Sequence, residues 1–193
     1  MKSKLIRTFI SVPVPDSVFK LQRNIKSIVK SPKGCVKWIP RHHLHLTLKF
    51  IGFTPDSSIQ DIRLVMDNIA LKARPIKLKI EGTGCFPSQQ RPRVLWVGVS
   101  GETHLLQGLV QSIQYSLDSI GFFKNETNFH PHITLGRLSY SQKYTPNISE
   151  FMVEKFTPIP FHVEKIQFIC SELFPNGSVY TILGTHFFQN NSV

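Results

Sequence analysis

A chain of 193 residues with 41% apolar content and a formal net charge of +11 has the length and composition of one small globular domain with a hydrophobic core. Its three Cys (Cys35, Cys85, Cys170) are odd in number and lack paired spacing. They suggest neither a disulfide framework nor a zinc site, and free buried thiols in a reducing cytoplasm are the expected state. No apolar run is long enough to cross a bilayer, so no membrane partner is expected.

The N-terminus, MKSKLIRTFISVPVP, starts basic, but its apolar stretch is short and broken by Arg7, Pro13 and Pro15. It reads as a strand over 5–12 rather than a signal peptide. Beyond Pro15-Asp16, Val18, Leu21, Ile25 and Ile28 recur at helical spacing, with a stop at Pro32–Gly34. Strands near 36–39 and 44–51 follow, and Pro55-Asp56-Ser57 opens a second helix with Ile62, Val65 and Ile69 on one face. Strands near 76–83 and 93–99 flank a loop from Phe86 to Pro92. A third helix, from about Glu102 to Ile120, turns Leu106, Leu109, Ile113 and Leu117 inward and stops at Gly121.

A strand over about 131–138 precedes a stretch, Ser139 to Pro160, that reads as loop with one short turn. Strands near 161–171 and 178–187 close the chain, joined at Pro175-Asn176-Gly177. Without linker or low-complexity tract, residues 1–193 read as a single domain. Strands outnumber helices and do not alternate strictly with them, which predicts an α+β fold with antiparallel sheets.

Charge is distributed unevenly. Residues 1–96 carry 18 Lys/Arg against 5 Asp/Glu, net +13, whereas residues 97–193 carry 5 against 7, net −2. A basic lobe of this kind fits a polyanion, and RNA is the expected partner. The candidate contacts are Arg7, Lys37, Arg41 and Lys49 near the first motif described below, and Arg91 and Arg93 beside the 86–92 loop. Lys49 is foremost, because regular alternation puts it on the strand face of His45 and Thr47.

One four-residue word occurs twice: His45-Leu46-Thr47-Leu48 and His132-Ile133-Thr134-Leu135. Apolar residues alternate with the His and the Thr, so each copy reads as a strand with imidazole and hydroxyl on one face. Two copies on facing strands bring two imidazoles and two hydroxyls to one point, the equipment of acid–base chemistry at phosphorus. The copies also divide the chain near its middle into two related halves.

These residues resemble the two-histidine phosphoesterases, and within them the RNA 2′,3′-cyclic phosphodiesterases formerly called 2′-5′ RNA ligases. The resemblance runs from about residue 4 to 185. It includes Arg7-Thr8-Phe9-Ile10 with Pro13, Trp38, Phe50-Ile51-Gly52, Phe86-Pro87, Arg93-Val94-Leu95-Trp96, Phe129-His130-Pro131-His132 and Arg137. His43 stands where the family often has Asn, and strand alternation places it on the face of His45 but further out. The resemblance implies a bilobal fold, two antiparallel sheets with helices outside and a central cleft, as two pseudo-symmetric lobes of one domain. It also implies His45 as proton donor and His132 as proton acceptor; sequence alone does not separate these roles.

Thr47 and Thr134 would hold non-bridging phosphate oxygens, and Arg137 would add a charge-assisted contact. Arg137 lies on the opposite face of a regular strand, so its part requires a bulge or twist at Gly136. No carboxylate or Cys accompanies His42, His43, His45, His130 and His132, and Thr has no place in a zinc site, so no metal is expected. Nucleotide-binding glycine motifs are absent, so no cofactor and no ATP-driven ligation are expected. The expected activity is hydrolysis of RNA 2′,3′-cyclic ends to 2′-phosphates by a cytoplasmic monomer. The alternatives are a 2′-5′ phosphodiesterase or reversible 2′-5′ RNA ligase, and a non-catalytic RNA-binding module.

Overall fold

The computed structural model describes residues 4–29, 35–123, 128–140, 145–175 and 177–189. The predicted stop at Pro32–Gly34 and Asn176 of the last turn lie outside them. In order, the elements are β1 (Leu5–Pro13), α1 (Ser17–Ile28), β2 (Val36–Trp38), β3 (His45–Pro55), α2 (Ile59–Ala70), β4 (Ile76–Phe86) and β5 (Val94–Gly101). Then come α3 (Thr103–Asp118), β6 (His132–Leu138), α4 (Ser149–Met152), β7 (Ile159–Val163), β8 (Lys165–Phe174) and β9 (Gly177–Phe187).

The helices form where apolar spacing predicts them. Leu106, Leu109, Ile113 and Leu117 are the buried face of α3. That helix ends as Gly121 takes φ 90° and the Phe122 N–H reaches back to the Leu117 carbonyl at 2.9 Å, a turn that glycine adopts without steric cost. In α1 the buried face is Val18, Leu21, Gln22 and Ile25, with a glutamine that the apolar pattern does not single out. The stretch after Ser139 contains the one-turn helix α4, whose Phe151 is fully buried.

Among the described residues the strands form one continuous sheet in the order β7-β4-β5-β6-β3-β1-β8-β9, with β2 on β6. The two expected sheets are its halves, β7-β4-β5-β6 and β3-β1-β8-β9. They meet at a narrow waist, where β3 and β6 run antiparallel with Leu46 opposite Ile133. Each half repeats one plan: a strand, a helix, then an antiparallel neighbour strand that carries the His-x-Thr word. Leu46 and Ile133 are fully buried and share a core cluster with Leu48, Leu135 and the apolar faces of α1, α2 and α3. Each side chain contributes on the order of 2 kcal/mol of apolar burial. The helices therefore occupy one face of the sheet, and the His and Thr of both words are left to the other.

The single strand expected over 161–171 is two strands. β7 pairs with β4 and β8 pairs with β1, and Glu164 alone separates them. The chain thus crosses from one half to the other at that residue. Before it, Phe161 and Val163 are buried; after it, Ile166 and Phe168 are. The inward parity shifts by one residue, which regular alternation within a single strand does not allow.

Candidate active site

The waist is where the site is built. With Leu46 opposite Ile133 in an antiparallel pair, His45 lies on the Thr134 side and Thr47 on the His132 side, about a local two-fold axis. His45, Thr47, His132, Thr134 and Arg137 all line one cleft of about 640 Å³, together with Lys37, Trp38, Phe50, Phe86 and Tyr180. The five residues expected from the sequence are brought to one place.

Each imidazole is held by the backbone two residues before it. His45 Nδ1 lies 2.7 Å from the His43 carbonyl, and His132 Nδ1 lies 2.7 Å from the His130 carbonyl. A carbonyl only accepts, so Nδ1 carries the proton in both rings and each Nε2 is left for chemistry. His45 Nε2 sits 3.0 Å from Thr47 Oγ1. His45 stacks on Phe9 at 4.9 Å and meets the edge of Tyr180 at 5.8 Å. His132 meets Phe86 edge-on at 5.0 Å. Trp96, in contact with Phe86 and His130, lies over Gly84, where a Cβ would come within 2.2 Å of its ring.

Burial, the largest influence, pushes the His45 pKa down to about 4; His43, Arg137 and His132 add to the fall, and the His43 carbonyl opposes it. His132 is lowered as well, again chiefly by burial, with His130 and Arg137 adding and the His130 carbonyl opposing. Both rings therefore favour the neutral form near pH 7. Burial raises the Tyr180 phenol, while Arg137 and Arg7 both pull it the other way.

Arg137 reaches the cleft through a β-bulge. Trp96 pairs with Thr134 and Leu95 with Gly136, so β6 carries one extra residue, Leu135, and its parity flips beyond it. Gln22 stabilises this bulge from the core side: its amide donates to the carbonyls of Leu135 and Ile39, each at 2.8 Å. Lys37 lies directly across from Arg137 on β2. Neither has an acidic partner among the described residues, and like charges directly opposite each other are destabilising.

The same bulge in the first word overturns the expectation for Lys49. Ile10 pairs with Lys49 and Ser11 with Thr47, so Leu48 is the extra residue and the face changes after it. Phe50, not Lys49, joins His45 and Thr47 at the cleft. Lys49 is 3% exposed and turns toward α3, where its ammonium donates to Gln114 Oε1 at 2.6 Å and the Phe122 carbonyl at 3.3 Å, and lies 3.7 Å from Asp118. It is a structural cation, not an RNA contact.

Other sequence-based placements also change. His43 is not on a strand but in a 3₁₀ turn, Arg41–His43, with its ring stacked on Tyr180 at 4.0 Å. Arg41 pairs with Asp16 on the exposed surface. Arg93 lies over the Tyr140 ring at 4.2 Å, and Arg91 is exposed on the 86–92 loop. Among the described residues no group of three His, Cys, Asp or Glu converges as a metal site. Sequence reasoning missed Tyr180 and Gln22: Tyr180 belongs to no motif and arrives through the β8–β9 ladder, and Gln22 sits within a helix face read only for apolar residues.

Two backbone-anchored imidazoles, two threonine hydroxyls and an arginine thus face one cleft at the waist of the sheet. The 2′-5′ RNA ligase superfamily profile matches residues 14–172, and the chain belongs to that superfamily. It is 31% identical over 185 residues, 93% of this chain and 96% of the relative, to an RNA 2′,3′-cyclic phosphodiesterase of Aquifex aeolicus. A protein of the same name from Thermotoga maritima is 31% identical over 184 residues, 92% of this chain and 93% of its own. The crystal structure of TT0787 of Thermus thermophilus superposes with a TM-score of 0.78 at 27% identity, covering 96% of this chain and 100% of that one.

Proposed function

We propose that the protein hydrolyses the 2′,3′-cyclic phosphodiester at RNA ends to a 2′-phosphomonoester and a free 3′-hydroxyl. The observation that carries this reading is the pair of imidazoles, each anchored at Nδ1, with both Nε2 atoms directed to one cleft beside Arg137. The names of the relatives support the substrate. Thr47, Thr134 and Arg137 hold the non-bridging oxygens. The neutral imidazole of His132 takes a proton from the attacking water; the P–O3′ bond breaks in line, and His45 delivers its proton to the departing O3′. Because burial keeps His45 neutral, its proton is taken up as the phosphate anion binds, an opposite charge that raises the pKa.

No step requires a metal or nucleotide, and the working form is a monomer of one bilobal domain. The thiols of Cys35, Cys85 and Cys170, none of them in a disulfide, suit the cytoplasm. With an RNA 5′-hydroxyl in place of water, the same groups would run 2′-5′ joining or its reversal. The test is a short RNA ending in 2′,3′-cyclic phosphate, incubated with EDTA and without ATP, followed by mapping of the product phosphate. A 2′-phosphate is expected. A 3′-phosphate would reverse the leaving group, and failure to open the ring would leave a binding module.

A further inference from the structure

Beyond the cleft, the face of the β3-containing half continues as a cationic and aromatic surface that the reaction does not use. Phe9 turns toward His45, and Arg7, two residues earlier on β1, shares that face about 7 Å further along. Arg7 is the cross-strand partner of Phe53, and its guanidinium lies over the Phe53 ring, 6.0 Å from the centroid. Phe53 is 70% exposed, and Phe50, which connects it to the cleft, is 61% exposed. No acidic group pairs with Arg7 among the described residues. Phe50 also packs against Phe9 at 5.9 Å, and Phe9 stacks on His45 at 4.9 Å, so Phe50 joins the cleft through an aromatic contact, and Phe53 lies further along the same strand face.

The local two-fold axis is broken along this path. The fifth residue after His132 is Arg137; the fifth after His45 is Phe50. The two Lys/Arg side chains that line the cleft, Arg137 and Lys37, thus lie at one end beside Trp38, and Phe50 stands at the other. A reacting phosphate suits the first end. A base suits the second, because aromatic rings stack any base and an arginine beside them neutralises backbone charge.

Resting on the cleft as the seat of the cyclic phosphate, we propose that Phe53 and Arg7 form a second-nucleotide subsite. Phe53 stacks the base of the nucleotide that precedes the cyclic end, and Arg7 holds its phosphate. The enzyme then selects the end of an RNA chain over a cyclic mononucleotide.

The test compares kcat/KM on a dinucleotide ending in 2′,3′-cyclic phosphate with kcat/KM on the cyclic mononucleotide. In Phe53→Ala and in Arg7→Gln we expect the ratio of the two to fall about tenfold, ~1.4 kcal/mol of discrimination. In Tyr115→Ala, an exposed aromatic on α3, it should keep its wild-type value. An unchanged ratio in the first two variants overturns the subsite. So does a concentration-dependent wild-type dimer that Phe53→Ala abolishes in sedimentation, because the surface would then belong to a second copy of the chain. If the wild type turned over neither substrate, the proposed reaction would fail on its own, and binding would still decide the subsite. Preference for a dinucleotide 2′-phosphate over the mononucleotide should be lost in Phe53→Ala, and a preserved preference overturns it.

Discussion

The pH dependence of turnover separates the empty site from the loaded one. The His45 pKa is about 4 in the free protein, so at pH 7 about one ring in a thousand is protonated. His132 is also below its ordinary value. The reaction needs one proton shared between the two rings, and the free enzyme holds that proton only between the two pKa values. We therefore expect kcat/KM, which reports the free enzyme, to peak on the acid side of the ordinary histidine range and to fall about tenfold per pH unit above it. Bound phosphate raises both pKa values, so the bell in kcat should lie at higher pH. Initial rates on a short cyclic-phosphate RNA from pH 4 to 9 measure both. Coincident profiles, or a kcat/KM still rising above pH 7, would refute the buried, neutral site described here. Folding carries the same sign: His45 is less basic folded than unfolded, so stability present above pH 6.5 should drain away as pH falls toward 4.

Three further outcomes follow from the geometry. Lys49→Met should cost ~1–3 kcal/mol in urea unfolding by removing buried hydrogen bonds, while the salt dependence of RNA binding stays at its wild-type slope. Lys37→Gln should do the opposite, lowering that slope by about 0.7 for one lost phosphate contact with little change in stability. Gln22→Ala should lose ~1–3 kcal/mol and also slow turnover, because the Leu135 bulge that aims Arg137 loses its brace; full activity at reduced stability would show that Gln22 does not position Arg137.

The lesson from the sequence lies in parity. Period-two alternation placed His45, Thr47, His132 and Thr134 correctly, because the waist is regular across those residues. It failed one step later in both words, because each strand inserts an extra residue after the Thr. Arg137 needs a break in alternation to face the cleft, expected at Gly136, and the extra residue is its neighbour Leu135. Regular alternation puts Lys49 in the cleft, and the corresponding insertion at Leu48 buries it. A bulge is set by cross-strand pairing, which an isolated strand sequence does not display. The division of 161–171 into two strands escapes a single-strand reading, although Phe161 and Val163 are out of phase with Ile166 and Phe168. Tyr180 is not legible either, since no local pattern shows that the last hairpin folds beside the first histidine.

In the proposed reaction His45 and His132 open a cyclic phosphate as an acid–base pair. The most direct measurement is ³¹P NMR of an RNA 2′,3′-cyclic phosphate incubated with wild type, His45→Ala, His132→Ala and the double variant in the presence of chelator. We expect conversion to a 2′-phosphomonoester by the wild type, each single variant slower by about 10²–10⁴-fold, and the double variant far less impaired than the product of the two. Conversion near the wild-type rate in either single variant would contradict it.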